Sequence, residues 1–196
     1  VSLCNKKEIK LNVNDENIGL IGNIKKLTEL AKGEYIWYVG DDDELKSGIL
    51  KKVYDIISQY DIGHLFINHS ASRDGKIING RLYDGVGGYY SDGLKMFHEL
   101  TEKSFSNLGV QMFITANIFY RECIIEADLL ADNISENDNL ALPLGYALFA
   151  SEKPGYIVDE VMINNDWTET SWSDKSILVH CRDMFAICDK FSTYMQ

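Results

Sequence analysis

The hydrophobic pattern of this chain changes period several times, and each change marks an element. Residues 7–13 alternate polar and apolar, the two-residue period of a half-buried strand. Asn14-Asp15-Glu16-Asn17 is a turn cluster. Across residues 18–32, Leu20, Ile24, Leu27 and Leu30-Ala31 recur at helical spacing, and Gly33 stands where a helix C-terminal glycine belongs. Tyr35-Ile36-Trp37-Tyr38-Val39 is a continuous β-favouring run, the mark of a strand buried on both faces. It stops abruptly at Gly40 and three aspartates. A second amphipathic helix follows with Leu45, Ile49, Leu50, Val53, Ile56 and Ile57 on one face, and then a short buried strand, Leu65-Phe66-Ile67.

Helix and strand thus alternate over the first 70 residues, which predicts an α/β domain built on an open, mostly parallel sheet flanked by helices. The middle is less regular. Arg73-Asp74-Gly75-Lys76 predicts a hairpin turn with 77–83 as the returning strand. Residues 85–88 form a glycine-rich loop, and 91–103 read as a capped amphipathic helix. Residues 112–120 read as a strand running into a short helix. A helix is predicted over 139–151, with Pro143 early enough to be tolerated in its first turn, and a strand over 156–163. The C-terminal run 173–194 predicts a long amphipathic helix with Ile177, Cys181, Phe185 and Cys188 on one face.

Composition narrows the function classes. A net charge of -11 and a pI near 4.8 argue against nucleic acid, which needs clustered Lys and Arg, and against broad adhesion to anionic lipid. A phosphorylated small ligand stays open, because a divalent cation can supply the counter-charge. No stretch is apolar over the ~20 residues a membrane span needs, and residues 1–7 carry no signal-peptide core. The four cysteines, Cys4, Cys123, Cys181 and Cys188, contain no C-x-x-C pair. Cys181 and Cys188 lie two turns apart on one helix, roughly 10 Å by the helical rise, too far to bridge. Reduced, cytoplasmic cysteines are the simplest reading.

Asp41-Asp42-Asp43-Glu44 is the strongest chemical signal. Adjacent carboxylates repel one another, and a hard cation such as Mg²⁺ or Mn²⁺ removes that cost by binding one or two of them together with substrate phosphate oxygens. The plain alternative is a solvated acidic turn capping the next helix. The position favours chemistry over that alternative, since in open α/β sheets ligands bind beyond the carboxyl ends of strands.

Asn17-Ile18-Gly19, then Asn23, then Ala31-Lys32-Gly33-Glu34-Tyr35-Ile36-Trp37, then Gly40-Asp41-Asp42-Asp43-Glu44-Leu45 resembles the family 2 glycosyltransferases of the GT-A fold. The detailed match covers about residues 9–50, with a looser match in element order to about residue 170. The form around Trp37 to Asp43 looks especially like bacterial surface-polysaccharide enzymes of abequosyltransferase-like type. The resemblance implies Asp41 and Asp43 on the metal, Mn²⁺ or Mg²⁺, and diphosphate, Asp42 near the ribose, and Asn17, Gly19 and Asn23 along the nucleotide side of the cleft. Relatives often carry a further acidic residue where Gly40 stands, so the register of the metal ligand within the three aspartates is open by one position.

The family also carries a carboxylate that opens a helix under the acceptor and acts as general base. Asp138, with Glu136 second, stands at the matching place, although Ser135 or Asp138 can equally cap that helix. Trp167 and Trp172 flank a polar segment and are candidates to pack on an acceptor sugar; filling a core is the alternative. The resemblance implies an inverting transfer from a nucleotide-diphosphate-sugar donor to a glycan or lipid-linked saccharide, in the cytoplasm with at most peripheral contact with the inner face of the membrane. The other classes weighed are a non-catalytic scaffolding module on this fold and an unrelated metal-dependent phosphotransfer domain. Residues 1–172 form a partial GT-A domain on this reading, with 173–196 a helix packed on it. The family's sheet opens with an apolar strand ending in a V-I-P-x-Y-N turn, and nothing like it precedes Lys7, so the first nucleotide-binding strand is expected to be missing from this chain.

Overall fold

The computed structural model describes residues 10–105, 108–135, 140–167 and 179–194. In chain order the elements are α1 (Gly19–Leu30), β1 (Tyr35–Trp37), β2 (Glu44–Leu45), α2 (Ile49–Gln59), β3 (His64–Arg73), β4 (Lys76–Asn79) and β5 (Gly88–Tyr90). There follow α3 (Gly93–Glu102), α4 (Gly109–Met112), β6 (Asn117–Tyr120), α5 (Arg121–Ser135), α6 (Leu142–Ala150), β7 (Gly155–Asp166) and α7 (Met184–Tyr194). A 3-10 turn, Ile114–Ala116, leads into β6, and a π turn, Val179–Asp183, leads into α7.

The sheet runs β1-β6-β3-β7-β2, with β4 added to β3 and β5 to β7. Helices flank it, as the alternation of periods predicts. Its pairing corrects the expectation of a mostly parallel sheet: among the described ladders only β3 with β7 is parallel. The apolar pattern reports burial and is blind to direction. β6 lies antiparallel between β1 and β3, so β1, β3 and β7 still point the same way and their carboxyl ends share one edge.

β3 is the spine, buried from His64 through Ser72. Such burial favours partnered polar side chains; Asn68 and His64 are partnered, whereas His69 Nδ1 is buried without a hydrogen bond among the described residues. Asn68 sits where the β3–β7 register shifts and uses its whole amide. It donates to Tyr83 O at 2.8 Å and Asp159 O at 2.9 Å, and accepts from the N–H groups of His69 and Tyr83. His64 Nε2 meets Asn117 Oδ1 at 2.7 Å, and burial pushes its imidazole down to about 4, so it is neutral at pH 7. The Asn117 amide in turn donates to Val110 O and Phe113 O at 2.9 and 2.8 Å, pinning the α4 segment and the 3-10 turn to the sheet. The turn after β3 is the predicted hairpin, with Asp74 and Gly75 both at positive φ (51° and 70°), as a two-residue primed turn requires.

Several expectations need correction. Residues 10–13 join no strand, and Lys7 to Ile9 lie outside the described residues. α1 buries Ile21, Ile24 and Thr28 while Leu20, Leu27 and Leu30 remain exposed. Thr28 can face inward because its hydroxyl bonds Ile24 O and the Tyr38 hydroxyl. The 3-10 turn precedes β6, reversing the order read over 112–120. β4 ends at Asn79, and Tyr83 makes only an isolated bridge to Ser104. On the C-terminal helix, the buried positions are Val179, Asp183, Ile187 and Phe191, whereas Cys181 and Phe185 are exposed; Ile177 lies outside the described residues. The π turn adds a residue to one turn and so rotates the face that follows it. Gly145 of α6 lets this helix approach, since a Cβ there would lie 2.9 Å from Phe191 Cε2. No helix among the described residues is long and apolar enough to cross a membrane.

The corrected face is testable. Phe191→Ala should cost about 3–5 kcal/mol, as for other buried aromatics, while Phe185→Ala should stay within about 0.5 kcal/mol. Urea denaturation of the two variants checks this, and equal losses would contradict the assignment.

Candidate functional site

The acidic run does not cap a helix. α2 begins at Ile49 after Gly48, which offers no side-chain cap, and β2 intervenes. Asp41 to Asp43 instead form the loop between β1 and β2. β2 pairs with the end of β7, Glu44 opposite Asn164 and Leu45 opposite Ile163. The loop therefore lies over the shared edge where β1, β3 and β7 end, as the sequence reading of a strand-end acidic cluster requires.

Its geometry centres on Asp43, which is half-buried. Oδ2 accepts a hydrogen bond from the Thr115 hydroxyl, and Oδ1 accepts from Asn165 Nδ2 at 3.0 Å. Thr115 is buried in the 3-10 turn; its Oγ1 also accepts from Gly40 N–H at 2.9 Å, and its carbonyl accepts from Trp37 Nε1 at 2.8 Å. Burial raises the Asp43 carboxyl above the usual carboxylate range, and the neighbouring Asp42 adds to this. The Thr115, Asn165 and Gly40 hydrogen bonds oppose the shift without cancelling it. A Cβ at Gly40 would lie 2.6 Å from Asp43 Oδ2 and 2.9 Å from Asp42 Oδ1, so a larger residue there would have to displace these carboxylates. Asp41 and Asp42 are exposed.

Asn17, Gly19 and Asn23 gather at the start of α1. Asn17 Oδ1 accepts from Gly19 N–H at 2.9 Å, Gly19 holds φ 70°, and Asn23 Nδ2 donates to Gly19 O at 2.8 Å. Asn14 joins Asn23 and Lys26 to this network. Only residues 31–34 separate α1 from β1, so helix and strand run back to back and the start of α1 lies toward the edge where β1 ends. Among the described residues, no hydrogen bond links these asparagines to the aspartates. Trp167 is half-buried and packs against the core built on β3 and β7, with its backbone N–H donating to Ser72 O at 2.8 Å. It thus stands at the same edge as the acidic loop. Trp172, Glu136 and Asp138 lie outside the described residues.

Thr115 and Asn165 were not foreseen. Asn164-Asn165-Asp166 closing an apolar strand was the one available signal; nothing in the sequence around Thr115 marks it. Among the described residues, no group of three or more His, Cys, Asp or Glu side chains is placed to hold a metal ion by itself, the three aspartates included. The donor set still fits a hard cation that takes one or two carboxylates and fills its remaining positions with phosphate and water oxygens, and the exposed Asp41 and Asp42 beside a fixed Asp43 offer that number. A separate open groove lies between α2 and strands β5 and β7. It contains none of these residues, and its lysines are already paired, Lys51 with Asp55 and Lys52 with Glu160.

By sequence, the chain matches no family model and no curated protein. By structure, it is similar to residues 1–349 of S. aureus TarS, with a TM-score of 0.60 at 14% identity over 96% of this chain and 50% of that one. It also matches TarS 1–349 in complex with UDP, with a TM-score of 0.51 at 14% identity over 85% and 42% of the two chains. The fold is a GT-A fold. This chain spans about half the length of the TarS chain, and within that GT-A half the acidic loop occupies the strand-end edge.

The different burdens on the aspartates predict different costs. Asp43→Ala should destabilise by about 1–3 kcal/mol, because it leaves the buried Thr115 hydroxyl without its acceptor. Asp41→Ala, at an exposed position, should change stability by less than about 0.5 kcal/mol. Denaturant titration in EDTA distinguishes the two, and the reverse order would overturn the loop geometry.

Proposed function

We propose that this chain is part of a metal-dependent, inverting glycosyltransferase of family 2 type. It would move a sugar from a nucleotide-diphosphate-sugar donor to a hydroxyl of a glycan or lipid-linked saccharide in bacterial polysaccharide synthesis. The single observation that supports this most is the placement of an exposed carboxylate pair, Asp41 and Asp42, beside an anchored Asp43 at the carboxyl ends of β1, β3 and β7 in a GT-A fold. TarS, whose fold the chain shares, has a structure in complex with UDP, which makes a nucleoside diphosphate the natural first ligand to try.

On this reading the residues of the acidic loop would hold a divalent cation at the donor site. Asp41 and Asp43 are the pair implied by the family pattern; the fixed hydrogen bonds of Asp43 favour Asp42 sharing that duty. A bound Mn²⁺ or Mg²⁺ supplies stabilisation of the negative charge that grows on the departing nucleoside diphosphate. Asn17, Gly19 and Asn23 border the nucleotide from the start of α1. Asp138, or Glu136 beside it, takes the proton from the acceptor hydroxyl, whose oxygen attacks the anomeric carbon from the face opposite the leaving group. The C–O bond to the acceptor forms as the bond to the diphosphate breaks, inverting the anomeric centre. Trp167 and Trp172 offer apolar faces to the acceptor ring. The abequosyltransferase-like likeness belongs to this proposal and suggests a deoxyhexosyl or hexosyl donor.

Thermal unfolding with UDP or GDP, each with Mn²⁺ or EDTA, tests the reading. A ligand at about a hundred times its Kd adds about 2.7 kcal/mol, which for a chain of this size means a rise of roughly 5–10 °C. The rise should appear with Mn²⁺, shrink in EDTA, and vanish in the double variant Asp41→Asn, Asp42→Asn. A scaffolding module would show no Mn²⁺-dependent shift with any nucleotide, and that result would end the enzyme reading.

A further inference from the structure

The acidic loop is closed by one side chain that no sequence motif singles out. We propose that Thr115 is the positioning residue of the loop: its hydroxyl joins the loop's first and last residues and so fixes the directions in which Asp41 and Asp42 present their carboxylates to a cation. The inference rests on the reading of this loop as a cation–diphosphate site.

Three contacts carry it. Gly40 N–H donates to Thr115 Oγ1 at 2.9 Å, and the same hydroxyl donates to Asp43 Oδ2. A hydroxyl has a single proton, and with Gly40 N–H occupying an acceptor site that proton is committed to Asp43. The Thr115 carbonyl takes Trp37 Nε1 at 2.8 Å, so one buried residue grips the chain before, at the start of, and at the end of the loop. Asn165 holds the other oxygen of Asp43 from the end of β7 at 3.0 Å. Asp43 thus spans two elements, and both of its oxygens are engaged. Only Asp41 and Asp42 lie free between the gripped ends.

Thr115 is itself held rigidly. The buried Asn117 amide ties the preceding segment, through Val110 O and Phe113 O, to β6 and to His64 of β3. Partners behind a metal's direct ligands orient those ligands, and their loss typically costs roughly 10–100-fold in metal affinity. Thr115 and Asn165 occupy that station here.

Calorimetric binding of UDP, in saturating Mn²⁺ and separately in EDTA, measures the gain in affinity that the cation brings. Thr115→Val keeps the side-chain shape without the hydroxyl and should reduce that Mn²⁺-dependent gain roughly 10–100-fold, leaving the affinity in EDTA unchanged. Thr115→Ser should restore the gain. Asn165→Ala, at a half-buried position less costly to fold, should reduce it in the same sense, which keeps the test open if Thr115→Val is unstable. An unaltered gain in folded Thr115→Val or Asn165→Ala overturns the inference, as does an equal loss with and without Mn²⁺, the signature of general structural damage. Absence of any Mn²⁺-dependent gain in the unmodified chain would instead remove the reading on which the inference stands.

Discussion

The carboxylate of Asp43, held between the Thr115 hydroxyl and the Asn165 amide, is the interaction on which the site depends. A half-buried carboxylate is costly in its charged form, and here burial raises its pKa despite the hydrogen bonds from Thr115 and Asn165. Such a group persists where the surrounding structure over-determines it. The surroundings do so here: Thr115 is fixed through the Asn117 network to β3 and β6, and Asn165 by the parallel ladder of β7 on β3. The core built for stability thereby sets the geometry of an exposed loop.

The consequence is electrostatic. A chain with a net charge of -11 gains nothing in stability by crowding three aspartates at one sheet edge. The loop nevertheless turns an Asp42 and an Asp43 oxygen toward Gly40, 2.9 and 2.6 Å from where a Cβ would stand. On the proposed function, a cation shared with a diphosphate would resolve that crowding and would also answer the chain's shortage of basic groups for a phosphorylated ligand. The edge at which β1, β3 and β7 end is where the proposed ligand would lie.

Much of this was legible in the sequence, and the failures have a common cause. The Asp74-Gly75 turn, the Pro143 helix start and β7 are local signals, and local physics reads them correctly; the run before Gly40 forms only the three-residue β1, half-buried at Tyr35 and Trp37, with Val39 exposed. The inward faces of α1 and α7 are not local. Leu20, Leu27 and Leu30 outnumber the apolar residues of the face that is buried, and Thr28 is admitted by its bonds to Ile24 O and the Tyr38 hydroxyl. A π turn shifts α7 by a step that no 3.6-residue pattern contains. Strand direction, and the pairing of Thr115 with an aspartate 72 residues away, are properties of topology and leave no periodic trace. Asp138, Glu136 and Trp172 rest on the family pattern alone.

The central claim concerns where a cation sits, and anomalous scattering locates one directly. Crystals grown with MnCl₂ and UDP should show a manganese peak about 2.0–2.3 Å from a carboxylate oxygen of Asp41, Asp42 or Asp43 and from the UDP diphosphate, with the Thr115 and Asn165 bonds to Asp43 intact. Ordered UDP bound elsewhere, with these carboxylates in solvent and no anomalous peak beside them, would contradict the account.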